Sequence, residues 1–213
     1  MINFYTWDTP NGHKIQIMLE ELGVAYVTHP VDISRDEQFD EKFLKVSPNN
    51  KIPAIEDEET GTTLFESGAI LMYLAEKHNK FLPKEGTQRY ETLQWLMHQM
   101  AGVGPMFGQH AHFSFFAKDD VPYAQKRYKD ESKRLLGVLE TRLKNADYLA
   151  GEYSIADMAV FPWLAAMQKK ELLSFDSYPA IQGYMDRIAK RDAVQEALEK
   201  SEVAAKNHKL KAA

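Results

Sequence analysis

Strand-like apolar runs are confined to the first 80 residues of this chain, and helical spacing dominates the remainder. Ile2–Thr6 is apolar and aromatic throughout and predicts a strand. A turn, Asp8-Thr9-Pro10-Asn11-Gly12, leads into Ile15, Met18, Leu19 and Leu22 at helical spacing, and Gly23 supplies a stop. Tyr26–Val31 predicts a second strand, and Asp40–Val46 a short helix cut off by Ser47-Pro48-Asn49-Asn50. Ile52-Pro53-Ala54-Ile55 begins a third strand, Gly61 marks a hairpin, and Thr62–Phe65 returns as a fourth. Ser67 then reads as the cap of a helix with Ile70, Leu71, Leu74 and Ala75 on its inner face. The order β-α-β-α-β-β-α predicts a mixed four-stranded sheet with helices on its faces.

Beyond the linker-like Asn79–Thr87, Gln88–Phe116 reads as helical, with an interruption at Gly102-Val103-Gly104-Pro105. Pro122 opens a long helix lined by Tyr128, Leu135, Leu136, Leu139 and Leu143. Ser154-Ile155-Ala156-Asp157 resembles a capping box ahead of an almost wholly apolar run, Met158–Met167, which suits the middle of a bundle. Pro179–Lys190 and Ala193–Lys200 predict further helices, after which a Lys-rich tail is expected to fray. The expected division is an α/β domain over 1–79, a linker over 80–87, an all-α helical bundle domain over 88–203 and a flexible tail over 204–213.

Composition narrows the chemistry. The 213 residues carry 26 Lys and Arg against 31 Asp and Glu, a net charge of −5, with no general attraction to nucleic acid or anionic membrane. No apolar run approaches the ~20 residues of a membrane span. The first residues enter a strand directly, without a basic or long apolar leader, so a cytoplasmic protein is expected. There is no cysteine, which excludes disulfide staples, cysteine-ligated metals and a protein-thiol nucleophile. Any thiol chemistry here must use a thiol carried by a small molecule.

Three segments carry candidate chemistry. In Lys51-Ile52-Pro53-Ala54-Ile55, a cis Ile52–Pro53 bond would turn the Ile52 backbone outward to meet an extended peptide, whereas a trans bond makes Pro53 an ordinary strand entry. In Phe65-Glu66-Ser67-Gly68-Ala69-Ile70, a helix start offers free N–H groups and the positive end of its dipole to an anion, with the carboxylate of Glu66 beside it. That pairing suits the zwitterionic end of an α-amino acid, and it suits a plain helix cap equally. In Thr9-Pro10-Asn11-Gly12-His13-Lys14, a hydroxyl and a carboxamide at a helix start either hydrogen-bond a thiolate or serve the turn.

Together these segments resemble the glutathione transferase family, over nearly the whole chain. Finer details resemble its Nu class, the bacterial glutathione-dependent disulfide-bond oxidoreductases: Thr9–Lys14, Ser47–Ile55, Leu93-Gln94-Trp95, Gly104-Pro105-Met106, Gln109 and Pro122-Tyr123-Ala124. The resemblance implies a thioredoxin-like N-terminal domain and a homodimer. It implies that Glu66 and Ser67 hold the γ-glutamyl end of glutathione, that Ile52, ahead of Pro53, pairs with the cysteinyl part, and that Gln38 reaches the glycine end with Lys51 nearby. Thr9 and Asn11 are the expected catalytic residues facing the sulfur, and Arg127 the arginine that reaches glutathione from the partner subunit. One or two glutathiones per site are expected, used on disulfides, peroxides or other electrophiles. The rival readings are conjugation of glutathione to organic electrophiles and a binding module without catalysis.

Other residues set expectations of their own. Tyr5 lies within the first strand rather than after it and reads as structural. Asp8, beside Thr9, would oppose thiolate formation if it pointed at the sulfur. His98, His110 and His112 have a spacing poor for metal binding, so packing or substrate contact is expected and no metal. Trp95 and Leu96 read as core, and Phe107, Phe113 and Phe116 as lining for an electrophile pocket.

Overall fold

The structure, a computed structural model, describes residues 1–211. The four expected strands form: β1 (Ile2–Thr6), β2 (Tyr26–Pro30), β3 (Ala54–Asp57) and β4 (Thr62–Phe65), in the spatial order β2-β1-β3-β4. β1 and β2 are parallel across the crossover helix α1 (Pro10–Leu22), while β3 runs antiparallel to both β1 and β4. Phe4 and Tyr5, adjacent in β1, point to opposite faces as the strand period demands. Phe4 is fully buried in the same core as Ile15, Met18 and Leu19 of α1 and Ile70, Leu71 and Leu74 of α3 (Ser67–His78). Tyr5 packs instead with Val31, Ala54 and the short helix α2 (Glu41–Val46), through Phe43 and Val46.

The second compact unit spans Phe81–Ala189. It holds α4 (Gly86–His98), α5 (Gly104–Ala111), α6 (Pro122–Leu143), α7 (Ile155–Lys169) and α8 (Pro179–Ala189). The capping box at α7 forms as expected: Ser154 accepts from Ala156, and Asp157 accepts from the Ser154 N–H (2.9 Å) and from Leu149 (2.9 Å). Ile155 through Phe161 are buried all round. The expected interruption at 102–105 is not a break. The helix widens to a π turn over Gln99–Val103 and continues into α5, and a second π turn comes at His112–Phe116. A wide turn absorbs Pro105, which lacks the N–H of a regular helical bond. Gly104 leaves room there for the Gln99 side chain, whose Nε2 lies 2.7 Å from where a Cβ would sit.

The C-terminal end departs from expectation. The last helix, α9 (Asp192–Lys211), does not stop near Lys200, and the tail expected to fray from 204 is helical to Lys211; residues 212 and 213 lie outside the described residues. The helical domain expected over 88–203 ends at Ala189, because the chain from Lys190 onward clusters with Met1–Lys80. Val194, Ala197, Ser201 and Ala205 form a buried stripe of small residues along α9, which packs on α1. Polar contacts along the same seam join Arg191 to Glu21 (2.5 Å) and Lys200 to Glu20 (2.9 Å), and further along α9 His208 meets Glu37 of the turn after β2 (2.9 Å).

Candidate active site

Sheet topology gathers the candidate segments. β1 and β2 are parallel and β3 opposes them, so the ends of β1, β2 and β4 and the start of β3 share one edge. Thr9 and Asn11 come after β1, Gln38 after β2, Lys51-Ile52-Pro53 before β3, and Glu66-Ser67 after β4. The expected residues of the first unit therefore meet at one rim, although up to 58 positions separate them in sequence. Arg127 belongs to the second unit. It is exposed on α6, in a cavity of about 620 Å³ that Met106, Tyr123 and Tyr128 also line.

At the β1 exit, Thr9 is the N-cap of α1, and its hydroxyl oxygen accepts the Gly12 N–H at 3.3 Å. Its own O–H is the donor left for a ligand. Pro10 takes the first helical position, where the missing N–H costs nothing, and Asn11 the second. Gly12 is pressed against the strand end: a Cβ would sit 2.4 Å from both Thr6 Oγ1 and the Trp7 carbonyl oxygen. Asp8 is engaged by His13 Nε2 at 2.7 Å and by the Ser201 hydroxyl of α9 at 3.3 Å. Tyr5 is no candidate acid. Its hydroxyl donates to Glu56 at 2.6 Å, its ring stacks on His29, and burial with the Glu56 carboxylate pushes its pKa up to about 12.

The Ile52–Pro53 bond is cis, the arrangement in which Ile52 was expected to face a peptide. The β3 ladder begins only at Ala54, opposite Phe65, so Ile52 lies outside the sheet pairing. The loop before it is fixed by the Ser47 hydroxyl, which donates to the Lys51 carbonyl oxygen at 2.8 Å, and by Asn50 in the left-handed region (φ 48°). Lys51 is exposed. Gln38 sits on a single 3-10 turn, Glu37–Phe39, with its amide nitrogen 3.4 Å from Asp36 and its carbonyl oxygen buried without a hydrogen-bond partner.

At the start of α3 the assignment of the cap shifts by one. Ser67, expected as the cap, is the first helical residue, and Glu66 occupies the cap position with φ 71° and ψ 110°. A non-glycine residue at positive φ costs on the order of 1–3 kcal/mol, and such strain concentrates at ligand clamps. The strained backbone leaves the Glu66 carboxylate exposed at the rim, 3.4 Å from Asn49 Nδ2, and turns Ser67 inward. There the Ser67 hydroxyl accepts from Lys14 Nζ at 3.3 Å. Lys14 had no role assigned from sequence, yet only 1% of its surface is exposed. Burial lowers its pKa to about 7, against the pull of the Glu66 carboxylate, which favours the charged form. Its position beside Ile15, three before Ile17 and four before Met18, on the buried part of α1, was the available signal.

In the second unit, burial holds the His98 and His110 imidazoles below the ordinary histidine range. Among the described residues, no group of three His, Asp or Glu is placed to hold a metal ion. Phe107, expected to line a pocket, is fully buried core; Phe113 stacks on Tyr128 at 5.5 Å, and Phe116 is exposed.

The rim presents a buried amine, a hydroxyl and a helix start within reach of an exposed carboxylate, with hydroxyl and amide donors at a second helix start. Family models match residues 1–76 as the glutathione S-transferase N-terminal domain and residues 97–192 as its C-terminal domain. The chain is 46% identical over 209 residues to the disulfide-bond oxidoreductase YfcG of Escherichia coli K12, covering 95% of this chain and 97% of that one. A crystal structure of a glutathione transferase from Pseudomonas putida, with one glutathione disulfide bound per subunit, superposes with a TM-score of 0.88 at 47% identity, covering 92% of this chain and 90% of the other. A family member from Pseudomonas fluorescens Pf-5 with two glutathiones bound gives a TM-score of 0.88 at 44% identity, covering 93% and 92%.

Proposed function

The chain belongs to the glutathione transferase family, and from that premise we propose that it binds glutathione at the sheet rim and uses the bound thiol to reduce small disulfides. The observation that carries the reading is the charge pattern at α3: the Glu66 carboxylate beside a helix start backed by Ser67 and Lys14 suits the zwitterionic γ-glutamyl end. Ile52, outside the ladder, offers its backbone to the cysteinyl unit, and Gln38, whose exposed amide N–H can donate to a carboxylate, suits the glycine end, with Lys51 near it. Thr9 and Asn11, at the start of α1, donate to the sulfur. Hydrogen bonds to a charged acceptor and the helix dipole both favour the thiolate.

The reaction balances without a protein thiol, which the sequence lacks. One glutathione thiolate attacks a sulfur of the substrate disulfide, forming a mixed disulfide and releasing the first substrate thiolate. A second glutathione attacks the glutathione sulfur of that mixed disulfide, releasing the second thiolate and glutathione disulfide. Two glutathiones are oxidised and one disulfide is reduced. The glutathione disulfide or paired glutathiones in the two Pseudomonas structures support a site that holds both partners of the second step. The same thiolate chemistry extends to peroxides. Conjugation to organic electrophiles finds less support, because the name of the E. coli relative describes disulfide chemistry.

A homodimer is part of the proposal, with Arg127 of each subunit serving the partner's site. A cytoplasmic setting fits the chemistry, since glutathione keeps that compartment reducing; among the described residues no helix is long and apolar enough to cross a membrane. The deciding experiment assays the protein, after treatment with iodoacetamide and removal of the reagent, on a dialkyl disulfide and on an aryl halide with glutathione. Disulfide turnover that survives alkylation and exceeds conjugation is expected. Conjugation alone would overturn the reaction, and failure to be retained on immobilised glutathione would overturn the binding. Arg127→Ala is expected to raise the glutathione KM with the dimer intact by light scattering; a fully active monomer refutes the composite site.

A further inference from the structure

An amine at 1% exposure is expensive to keep charged, and Lys14 is such an amine at the back of the proposed ligand site. Its Nζ lies 3.3 Å from Ser67 Oγ, directly behind the helix start that the proposed function assigns to the γ-glutamyl carboxylate. We propose that Lys14 is a positioning residue for that carboxylate: its ammonium orients the Ser67 hydroxyl outward and supplies, from inside the protein, the positive charge that the bound anion needs. The inference rests on the glutathione-binding reading and deepens it.

The surrounding charges leave Lys14 responsive to a ligand. Glu66 is the carboxylate whose charge acts on it, from the start of α3. On its own helix, His13 is held by Asp8 at 2.7 Å, while Glu21 is engaged by Arg191, just ahead of α9, and Glu20 by Lys200 of α9. Burial outweighs the pull of Glu66 and lowers the Lys14 pKa to about 7. At pH 8 such an amine is mostly neutral. A carboxylate arriving at Ser67 adds a further negative charge and draws the pKa back up, so the ligand binds together with a proton. The ligand's amino group, already charged at this pH, faces Glu66 and contributes little to that uptake.

The test is calorimetric titration with S-methylglutathione, which has no ionisable thiol to mask the proton. Titrations at pH 8 in two buffers of different ionisation enthalpy measure the protons taken up. An uptake approaching ~0.9 proton is expected for the parent, falling toward ~0.2 at pH 6.5, given a free-state pKa of about 7. Lys14→Arg, whose guanidinium stays charged, should bind with no uptake at either pH. Lys14→Met should bind roughly ten- to hundredfold more weakly at pH 6.5, the scale of a lost charge-assisted contact, again without uptake. Binding by the parent without uptake at pH 8 overturns the role of Lys14 and leaves the glutathione site standing. An absence of binding at both pH values overturns the site itself. Should Lys14→Met fail to fold, the parent and Lys14→Arg arms decide the question alone.

Discussion

Thr9→Val separates two duties that fall on one oxygen. Valine keeps the branched shape, so the substitution removes the hydroxyl with little change in volume. The first loss is the N-cap bond to the Gly12 N–H, which at 3.3 Å is long. Cap losses run from about 0.5 to 2 kcal/mol, and this geometry puts the cost near 1 kcal/mol, or about 2–4 °C of melting temperature at this chain length. The second loss is the donor to sulfur. A hydrogen bond to a charged acceptor contributes ~1.5–3 kcal/mol, which corresponds to a thiol pKa raised by about one to two units and a turnover about ten- to a hundredfold lower near neutral pH. Asn11→Ala provides the contrast, because the cap acceptor is Thr9 and not Asn11. Its cap bond from Gly12 to Thr9 stays in place while its turnover falls at least as far, since an amide N–H can only donate at that point and a hydroxyl can turn away. The assays are thermal melting, the ultraviolet absorbance of bound thiolate against pH, and turnover of a dialkyl disulfide at saturating glutathione. A Thr9→Val protein that melts earlier but ionises bound glutathione at the parent pH has lost a cap only. If Asn11→Ala also ionises and turns over like the parent, the assignment of both residues to the sulfur is wrong.

Three further outcomes rest on geometry. Gly12→Ala puts a Cβ 2.4 Å from Thr6 Oγ1 and the Trp7 carbonyl oxygen, so the strand end must move; a loss of about 1–3 kcal/mol and weaker glutathione binding are expected, and an unchanged urea midpoint refutes this. Asp157→Ala strands the Leu149 and Ser154 N–H groups in the core of the second unit, and a loss of roughly 2–4 kcal/mol is expected from denaturant melts. Lys14 gives a slope with pH. Its folded pKa of about 7 lies below the ordinary lysine value of 10.5, so between those pH values the unfolded chain binds more protons and stability rises with pH. Relative to Lys14→Met, the unliganded parent should gain on the order of a few kcal/mol from pH 7 to 10; parallel curves for the two proteins refute the buried-amine reading.

The sheet was legible because each strand is an apolar run bounded by turn residues, and two of its contacts are local: the hairpin at Gly61 and the crossover through α1. The rim was legible from short motifs at strand ends. Three things were hidden. α9 carries its buried stripe on Ala197, Ser201 and Ala205, residues too small or polar to stand out beside the lysines of its exposed face. Lys14 reads as a surface residue from its type, and its spacing against Ile17 and Met18, the signal that its helix turns it inward, is outweighed by that type. The one-residue shift at Ser67 depends on a positive φ at Glu66, which a sequence without glycine or asparagine at that position gives no reason to expect.

The return of α9 to the first unit also sets an order of events on the ribosome. Residues 1–80 emerge first, but the face of α1 that receives Val194, Ala197 and Ala205 has nothing to cover it until the whole of Phe81–Ala189 has been synthesised. The helical unit is continuous in the chain and draws its core from Phe81–Ala189 alone. A chain truncated after Ala189 thus carries the whole helical unit and an unfinished sheet unit. The rim, built entirely on the sheet unit, becomes competent last, so a ligand present during translation stabilises the chain only after α9 has been made.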